Sequence, residues 1–282
     1  CDKTVEVDNG NLVIDGKSYP VFSKKDPTEL PWADLGVDLV FECSGAFRKL
    51  DELQRHLDAG ASQVIVSAPP KGDGVPMVVN GVTQLEKVLS SPIVSTASCT
   101  TNCVAPIMEI LDRRIGVEKS LLTTVHGYTS SQGLVDGPNK QVRRGRAGAA
   151  NLVPTSTGAA SATTKTVAGL TKDFDGVALR IPLVSGSIAD VVVLTRRNTT
   201  VEEINAAMKK AAEGPMKGIL GYTEDPVVSS DLKGDRNSSI FDGLCTMMLG
   251  DKFAKVVSWY DNEWAYSERV GDLIDFMVKK GL

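Results

Sequence analysis

Residues able to do covalent chemistry near neutral pH are few in this 282-residue chain, which has five cysteines and two histidines. One cysteine has a setting the others lack. Ser95-Thr96-Ala97-Ser98-Cys99-Thr100-Thr101-Asn102-Cys103 follows the β-branched pair Ile93-Val94, and apolar residues then recur at Val104, Ile107, Met108, Leu111 and Ile115. That spacing is helical, so a strand runs into a helix at Cys99, with Ser98 as N-cap and Gly116 as the stop. Free N–H groups and the positive end of the macrodipole in the first turn favour thiolate over thiol, which prepares a nucleophile. Cys103 lies one turn along on the same face and reads as packing. Pro106 cannot donate to the helix ladder, which predicts a kink or a late start. A cysteine nucleophile needs a base. His56 sits between Arg55 and Leu57 on a predicted helix with nothing chemical around it, and reads as structural or surface. His126 ends the strand Leu121-Leu122-Thr123-Thr124-Val125 and precedes Gly127-Tyr128-Thr129-Ser130, which suits a side chain at a cleft mouth.

The elements that must position these groups are an α/β series. A hairpin-like opening turns at Asn9-Gly10 and again at Asp15-Gly16. The apolar run at residues 37–43 is a buried-type strand ending at Ser44-Gly45. Leu50, Leu53 and Leu57 recur with helical spacing, Gly60 closes the helix, and residues 63–67 form the next strand. This βαβ unit implies parallel strands. Ligands of open α/β sheets sit outside the carboxyl ends of the strands, so Ser44, Gly45, Ser67, Ala68 and Cys99 should line one crevice. No G-x-G-x-x-G motif follows any strand, so the sheet begins in its middle. Beyond residue 131 a long polar stretch carries Gly137-Pro138 and the cluster Arg143, Arg144 and Arg146, and a segment of that length is usually functional. A helix begins near Gly158, strands cover 177–180, 189–195 and 256–259, and Thr200 with Glu203 makes a capping box. Tyr266, Val270, Leu273, Ile274 and Met277 mark an amphipathic terminal helix.

Composition excludes several function classes. Formal charge is −4, from 31 basic and 35 acidic residues, without a general nucleic-acid footprint. No apolar run approaches the ~20 residues that span a bilayer, and the N-terminus lacks a signal-peptide core, which predicts a soluble cytoplasmic protein without membrane partners. Cys1, Cys43, Cys99, Cys103 and Cys245 are odd in number and form no CxxC, so neither a disulfide framework nor a zinc or other metal site is expected.

Five segments occurring in order carry a more specific signal: Ser98-Cys99-Thr100-Thr101-Asn102-Cys103, Thr124-Val125-His126-Gly127-Tyr128-Thr129, Ser156-Thr157-Gly158-Ala159-Ala160, Leu220-Gly221-Tyr222-Thr223-Glu224-Asp225 and Ser258-Trp259-Tyr260-Asp261-Asn262-Glu263-Trp264. Together they resemble phosphorylating glyceraldehyde-3-phosphate dehydrogenase over essentially the whole chain. The family pattern opens with a strand, a glycine-rich phosphate loop, a helix and a ribose-binding acid, so about its first fifty residues would precede Cys1. The resemblance implies an α/β fold: an incomplete Rossmann-type parallel sheet plus an α+β catalytic domain with a mixed or antiparallel sheet. The domains expected are 1–98, the remaining NAD-binding part onto which the terminal helix 264–282 packs back, and 99–263, the catalytic part.

By the same resemblance, the Cys99 thiolate attacks the aldehyde of glyceraldehyde 3-phosphate, and His126 acts as base while hydride leaves for NAD. Inorganic phosphate then releases 1,3-bisphosphoglycerate from the thioester. Thr129 and Arg180 belong to the site for the substrate phosphate. Ser98, Thr100, Thr157 and Gly158, with Arg144 or Arg146 nearby, belong to the site for the attacking phosphate. Asn262 and Tyr266 match positions near the nicotinamide, and Ser44, Gly45, Ser67 and Ala68 match strand-end cofactor contacts. Gly137-Pro138 points to NAD, with NADP left open, and the family implies a homotetramer. Residues 183–187 depart from the Thr-Pro-Asn-Val-Ser of many relatives. Alternatives are an erythrose-4-phosphate dehydrogenase, against which Ser156-Thr157-Gly158 argues, a truncated non-catalytic or protein-binding form, and hydrolysis of a thioester or acyl phosphate by Cys99.

Overall fold

The computed structural model describes residues 2–88, 90–170 and 173–281; Cys1 and the last residue of the predicted terminal helix lie outside them. The chain opens with an antiparallel meander of β1 (Val5–Asp8), β2 (Asn11–Ile14) and β3 (Lys17–Tyr19). Its two turns fall where expected, at Asn9-Gly10 with φ of 47° and 81° and at Asp15-Gly16 with φ of 48° and 78°. Left-handed backbone at both central positions is what a two-residue turn between twisted strands requires, and Asn, Asp and Gly tolerate it.

A parallel sheet follows, built from β4 (Leu39–Glu42), α1 (Leu50–Asp58), β5 (Gln63–Val66), α2 (Leu85–Val88) and β6 (Ile93–Ser95), with strand order β4-β5-β6. Glu42 pairs Val66, which pairs Ser95, so the three carboxyl ends lie side by side. One face packs Val40, Val64, Val66 and Ile93 against Leu53 of α1.

From β6 the chain enters α3 (Cys99–Arg114) and then a second, larger sheet. Its elements are β7 (Val117–Gly127), β8 (Val153–Ser156), α4 (Ala159–Thr166), β9 (Phe174–Ile181), β10 (Ser187–Thr195), α5 (Val201–Glu213), β11 (Leu220–Thr223), β12 (Ser239–Asp242), β13 (Met247–Leu249) and β14 (Phe253–Tyr260). The strand order is β11-β12-β14-β10-β7-β9-β8, with β13 added to β14, and pairing is antiparallel except for β7 with β9 and β11 with β12. The final helix α6 (Trp264–Lys279) sets Leu273 and Met277 against Ile65, Val78 and Val94 of the parallel sheet.

Helices α3, α4 and α5 cover one face of the large sheet. Val104, Ile107, Met108 and Leu111 of α3 meet Leu122, Ala189, Val191 and Val256 from three strands in the main core. The period-2 alternation leaves Leu121, Val177 and Phe253 on the other face, 63%, 51% and 45% exposed. No described helix is long and apolar enough to cross a membrane.

Three local readings are corrected. The helix does not start late at Pro106; it begins at Cys99 with Pro106 inside α3, where the helix lacks the bond that residue would have donated. Only half the capping box forms: Thr200 accepts the Glu203 N–H at 3.2 Å, whereas the Glu203 carboxylate turns to Arg197 and to the Thr199 hydroxyl. Strand β8 was absent from the sequence reading because Pro154 breaks the strand signal; at the sheet edge a missing N–H is tolerated.

Candidate active site

Cys99 owes its place to the turn before it. Ala97 has φ of 58° and no exposed surface, a conformation an L-residue adopts at some cost, and its N–H is held by Ser95 Oγ at 2.9 Å. The chain thereby reverses from β6 into α3 within a few residues. Ser98 then caps the helix, its Oγ accepting the Thr101 N–H at 3.1 Å. Asn102 closes the same turn, its amide donating to the Thr96 and Ser98 carbonyls at 2.9 Å each.

The base comes from the large sheet. Tyr260 of β14, Ser187 of β10, His126 of β7 and Arg180 of β9 are consecutive register partners, so four strands set one row of side chains on the helix-covered face. Cys99 Sγ lies 3.5 Å from His126 Nε2. His126 Nδ1 lies 2.7 Å from the Gly127 carbonyl and 2.9 Å from Arg180 Nη1. A neutral ring cannot both donate to the carbonyl and accept from the guanidinium at one nitrogen. We assign the proton to Nδ1, because Arg180 Nη1 has the Gly127 carbonyl at 3.0 Å as an acceptor of its own. Nε2 then presents a lone pair to the thiol.

Protonation states follow from burial. Burial pushes His126 down to about 4, the Arg180 and Arg144 cations add to this, and the Gly127 carbonyl opposes it. Burial likewise pushes the Cys99 thiol up, against the pull of the Thr100 hydroxyl and N–H and of Arg180. The helix start therefore acts in the expected direction but does not prevail, which corrects the expectation of a resting thiolate. At neutral pH the pair is a thiol facing an uncharged imidazole, poised for proton transfer as the sulfur attacks.

Two cations flank the pair. Arg180 Nη1 reaches the Thr129 hydroxyl at 3.4 Å, and its buried Nε has no partner among the described residues. Within the arginine cluster, Arg144 is the member turned inward: its Nε donates to Thr155 Oγ1 at 2.9 Å and its Nη2 to the Ser156 carbonyl at 3.3 Å. Arg146 instead pairs with Asp136. Burial lowers Arg180, and Arg144 lowers it further; among the described residues neither guanidinium has a carboxylate partner. Two unpaired cations beside hydroxyls are suited to anionic oxygens.

The other expected residues divide. Thr157 and Gly158 stand at the start of α4, where Thr157 Oγ1 accepts the Ala159 N–H at 3.2 Å and Gly158 is the N-cap. Thr100 is buried and its hydroxyl meets the Tyr260 hydroxyl at 2.8 Å. Asn262 Oδ1 accepts from the Gly186 N–H at 3.0 Å and the Ser187 hydroxyl at 2.9 Å. The Tyr266 hydroxyl meets Thr96 Oγ1 at 2.6 Å, joining α6 to the end of β6. Ser44, Gly45, Ser67 and Ala68 gather at the carboxyl ends of β4 and β5, where Gly45 has φ of 71° and a Cβ there would meet nothing within 4 Å. His56 is structural, one of the two readings its sequence allowed, but the expectation that nothing chemical surrounds it is corrected: it is buried against Glu42.

Sequence reasoning missed Tyr260 as a structural partner of the site. Its hydroxyl also meets Thr124 Oγ1 at 2.8 Å, and its ring stands edge-on to His126 with centroids 5.9 Å apart. Tyr260 lay within a recognised motif, but only strand register discloses that it backs the base.

Comparison with known proteins gives the family. The family model described as "Glyceraldehyde 3-phosphate dehydrogenase, C-terminal domain" matches residues 98–262, and that described as "Glyceraldehyde 3-phosphate dehydrogenase, NAD binding domain" matches residues 1–50. The glyceraldehyde-3-phosphate dehydrogenase of Eremothecium gossypii is 49% identical over 275 residues, covering 97% of this chain and 82% of the relative. Glyceraldehyde-3-phosphate dehydrogenase 2 of Saccharomyces cerevisiae is 46% identical over 276 residues, covering 98% and 82%. Glyceraldehyde-3-phosphate dehydrogenase 1 of Bacillus subtilis is 44% identical over 281 residues, covering 100% and 84%. On this likeness, which runs through both the parallel-sheet part and the part that carries Cys99 and His126, the chain belongs to the glyceraldehyde-3-phosphate dehydrogenase family of oxidoreductases.

Proposed function

We propose that the chain carries out the NAD-dependent oxidative phosphorylation of glyceraldehyde 3-phosphate to 1,3-bisphosphoglycerate. The observation that carries this reading is the 3.5 Å approach of Cys99 Sγ to the Nε2 of a neutral His126, whose Nδ1 side faces the Arg180 guanidinium. In this reading Sγ forms a bond to the aldehyde carbon while His126 Nε2 takes the thiol proton and passes it to the carbonyl oxygen, which gives the hemithioacetal and leaves His126 neutral again. Arg180 and Thr129 hold the substrate phosphate. NAD, when bound against Ser44, Gly45, Ser67, Ala68, Asn262 and Tyr266, supplies the hydride acceptor. His126 removes the hydroxyl proton of the hemithioacetal as it becomes a thioester. Inorganic phosphate, held by Ser98, Thr100, Thr157, Gly158 and Arg144, attacks that thioester; the C–S bond breaks and the sulfur regains its proton. A thioester suits this last step because it stays reactive enough for phosphate to cleave.

The same reading assigns residues 1–98 with the terminal helix to cofactor binding and 99–263 to catalysis, prefers NAD to NADP, and places the protein in the cytoplasm as a homotetramer. The test is acylation. With substrate and NAD but no phosphate, mass spectrometry should find an acyl group on Cys99, which added phosphate removes. C99S should abolish the adduct, and H126N should slow its formation by about 10²–10⁴-fold. An adduct on another cysteine, or turnover that survives C99S, refutes the assignment.

A further inference from the structure

His56 takes no part in the reaction proposed above, yet it lies in the core beside a carboxylate. Glu42, the last residue of β4, and His56 on α1 are 5% and 4% exposed. His56 Nε2 lies 3.2 Å from Glu42 Oε2, and the Trp32 indole N–H donates to His56 Nδ1 at 3.3 Å. An indole nitrogen can only donate, so Nδ1 must accept; the proton of the neutral ring is then on Nε2 and directed at the carboxylate. Phe47 stands edge-on to the same imidazole, centroids 6.1 Å apart.

The other carboxylate oxygen, Oε1, accepts the Ser44 N–H at 2.7 Å and also the Ser44 hydroxyl. Ser44 Oγ accepts in turn from the Ala46 N–H at 3.1 Å, which bends the loop around Gly45. The main-chain carbonyl of Glu42 accepts from Ser67, from its N–H at 3.0 Å and its hydroxyl at 3.3 Å. The buried carboxylate thus fastens the loop that follows β4, whereas Ser67 is held by main-chain pairing that any residue at position 42 would supply. Burial pushes the Glu42 carboxyl up, but the bonds from His56 and Ser44 outweigh it and hold the group below its ordinary value. A buried carboxylate, even a hydrogen-bonded one, gives little net stability compared with an apolar side chain, so a role in fixing shape accounts for it better than a role in holding the core.

We propose that Glu42 is a positioning residue for cofactor binding: oriented by the Trp32–His56 relay, its carboxylate fixes Ser44 and Gly45 in the shape that receives the dinucleotide. This rests on the cofactor reading given above. It assigns Ser44 a contact through its main chain, since its hydroxyl and N–H are both engaged by Glu42.

The test measures three quantities on the purified full chain and on E42Q, H56L and H56Q: equilibrium NAD binding, the rate of Cys99 alkylation, and amide exchange at Ser44 without NAD. E42Q and H56L should each weaken NAD binding about tenfold, the worth of one lost charge-assisted bond. H56Q, which restores a donor toward Glu42, should recover most of that loss, and Cys99 alkylation should stay within about twofold throughout because chemistry at the sulfur is untouched. Unchanged NAD affinity in E42Q and H56L overturns the proposal. So do a parallel fall in NAD binding and alkylation, which marks general loosening, and an H56Q no better than H56L. If the unsubstituted chain itself binds no NAD, the cofactor reading falls. The positioning claim is then judged by the Ser44 amide, expected to exchange about tenfold faster in E42Q; an unchanged rate overturns it.

Discussion

His126 is uncharged in the fold because its surroundings exclude a third cation: it is buried, and Arg180 and Arg144 already act on it. Its value of about 4 lies below the ordinary 6.5, so the unfolded chain binds a proton that the folded chain refuses. The stabilising contribution is therefore complete above pH 6.5 and lost as pH falls toward 4, by about 3 kcal/mol. Denaturant titrations of the parent and H126N at pH 7 and pH 4 should show a smaller acid loss in the variant, and an equal loss in both would contradict the buried neutral ring. The opposite shift at Cys99 predicts that alkylation keeps quickening above pH 9.0, its ordinary value, because burial raises the thiol. Sequence spacing found the cysteine and the histidine but took the helix start as sufficient to ionise the sulfur. Desolvation reverses that, and it depends on what packs around Cys99 rather than on its neighbours in the chain. Glu42 and His56 were unreadable for a related reason: strand and helix bring together residues 14 positions apart that share no periodicity.

The strand-to-helix turn was the most legible element, because cap type and apolar spacing are local properties. Its strain was not legible. Ala97 at φ 58° holds the reversal that delivers Cys99, and nothing in the identity of an alanine announces it. A97V should lower unfolding free energy by about 2 kcal/mol, since a β-branched residue fits that region poorly, whereas A97G should keep stability and alkylation rate. Urea titration with a thiol assay checks both, and an A97V as stable as the parent would show that the turn relaxes freely. The short strands β11, β12 and β13 gave weak signals, and β8 was masked by Pro154, because each is strand by virtue of its neighbours rather than its own pattern.

On the scale of the whole molecule, the parallel sheet and its partner sheet were foreseen as separate bodies, but strand order and register were not, because pairing joins segments distant in sequence. One consequence is the bare side of the large sheet. Leu121, Val177 and Phe253 stand well exposed, one on each of three strands and beside the Lys255–Asp190 ion pair, and exposed apolar side chains on an uncovered sheet face are of the kind that marks association. The unsubstituted protein should scatter light as an oligomer, and L121E combined with V177E should yield a smaller species of unchanged helical content; no change in mass would remove this face from the interface. A second consequence concerns time rather than shape. The row Tyr260, Ser187, His126 and Arg180 closes only when β14 has found β10, and the bond from Thr124 to Tyr260 joins residues 136 apart. Contacts of such separation form late. In refolding from denaturant, the rapid alkylation of Cys99 that depends on its base should therefore return after the helical signal, so that the chain acquires its secondary structure before it acquires its chemistry.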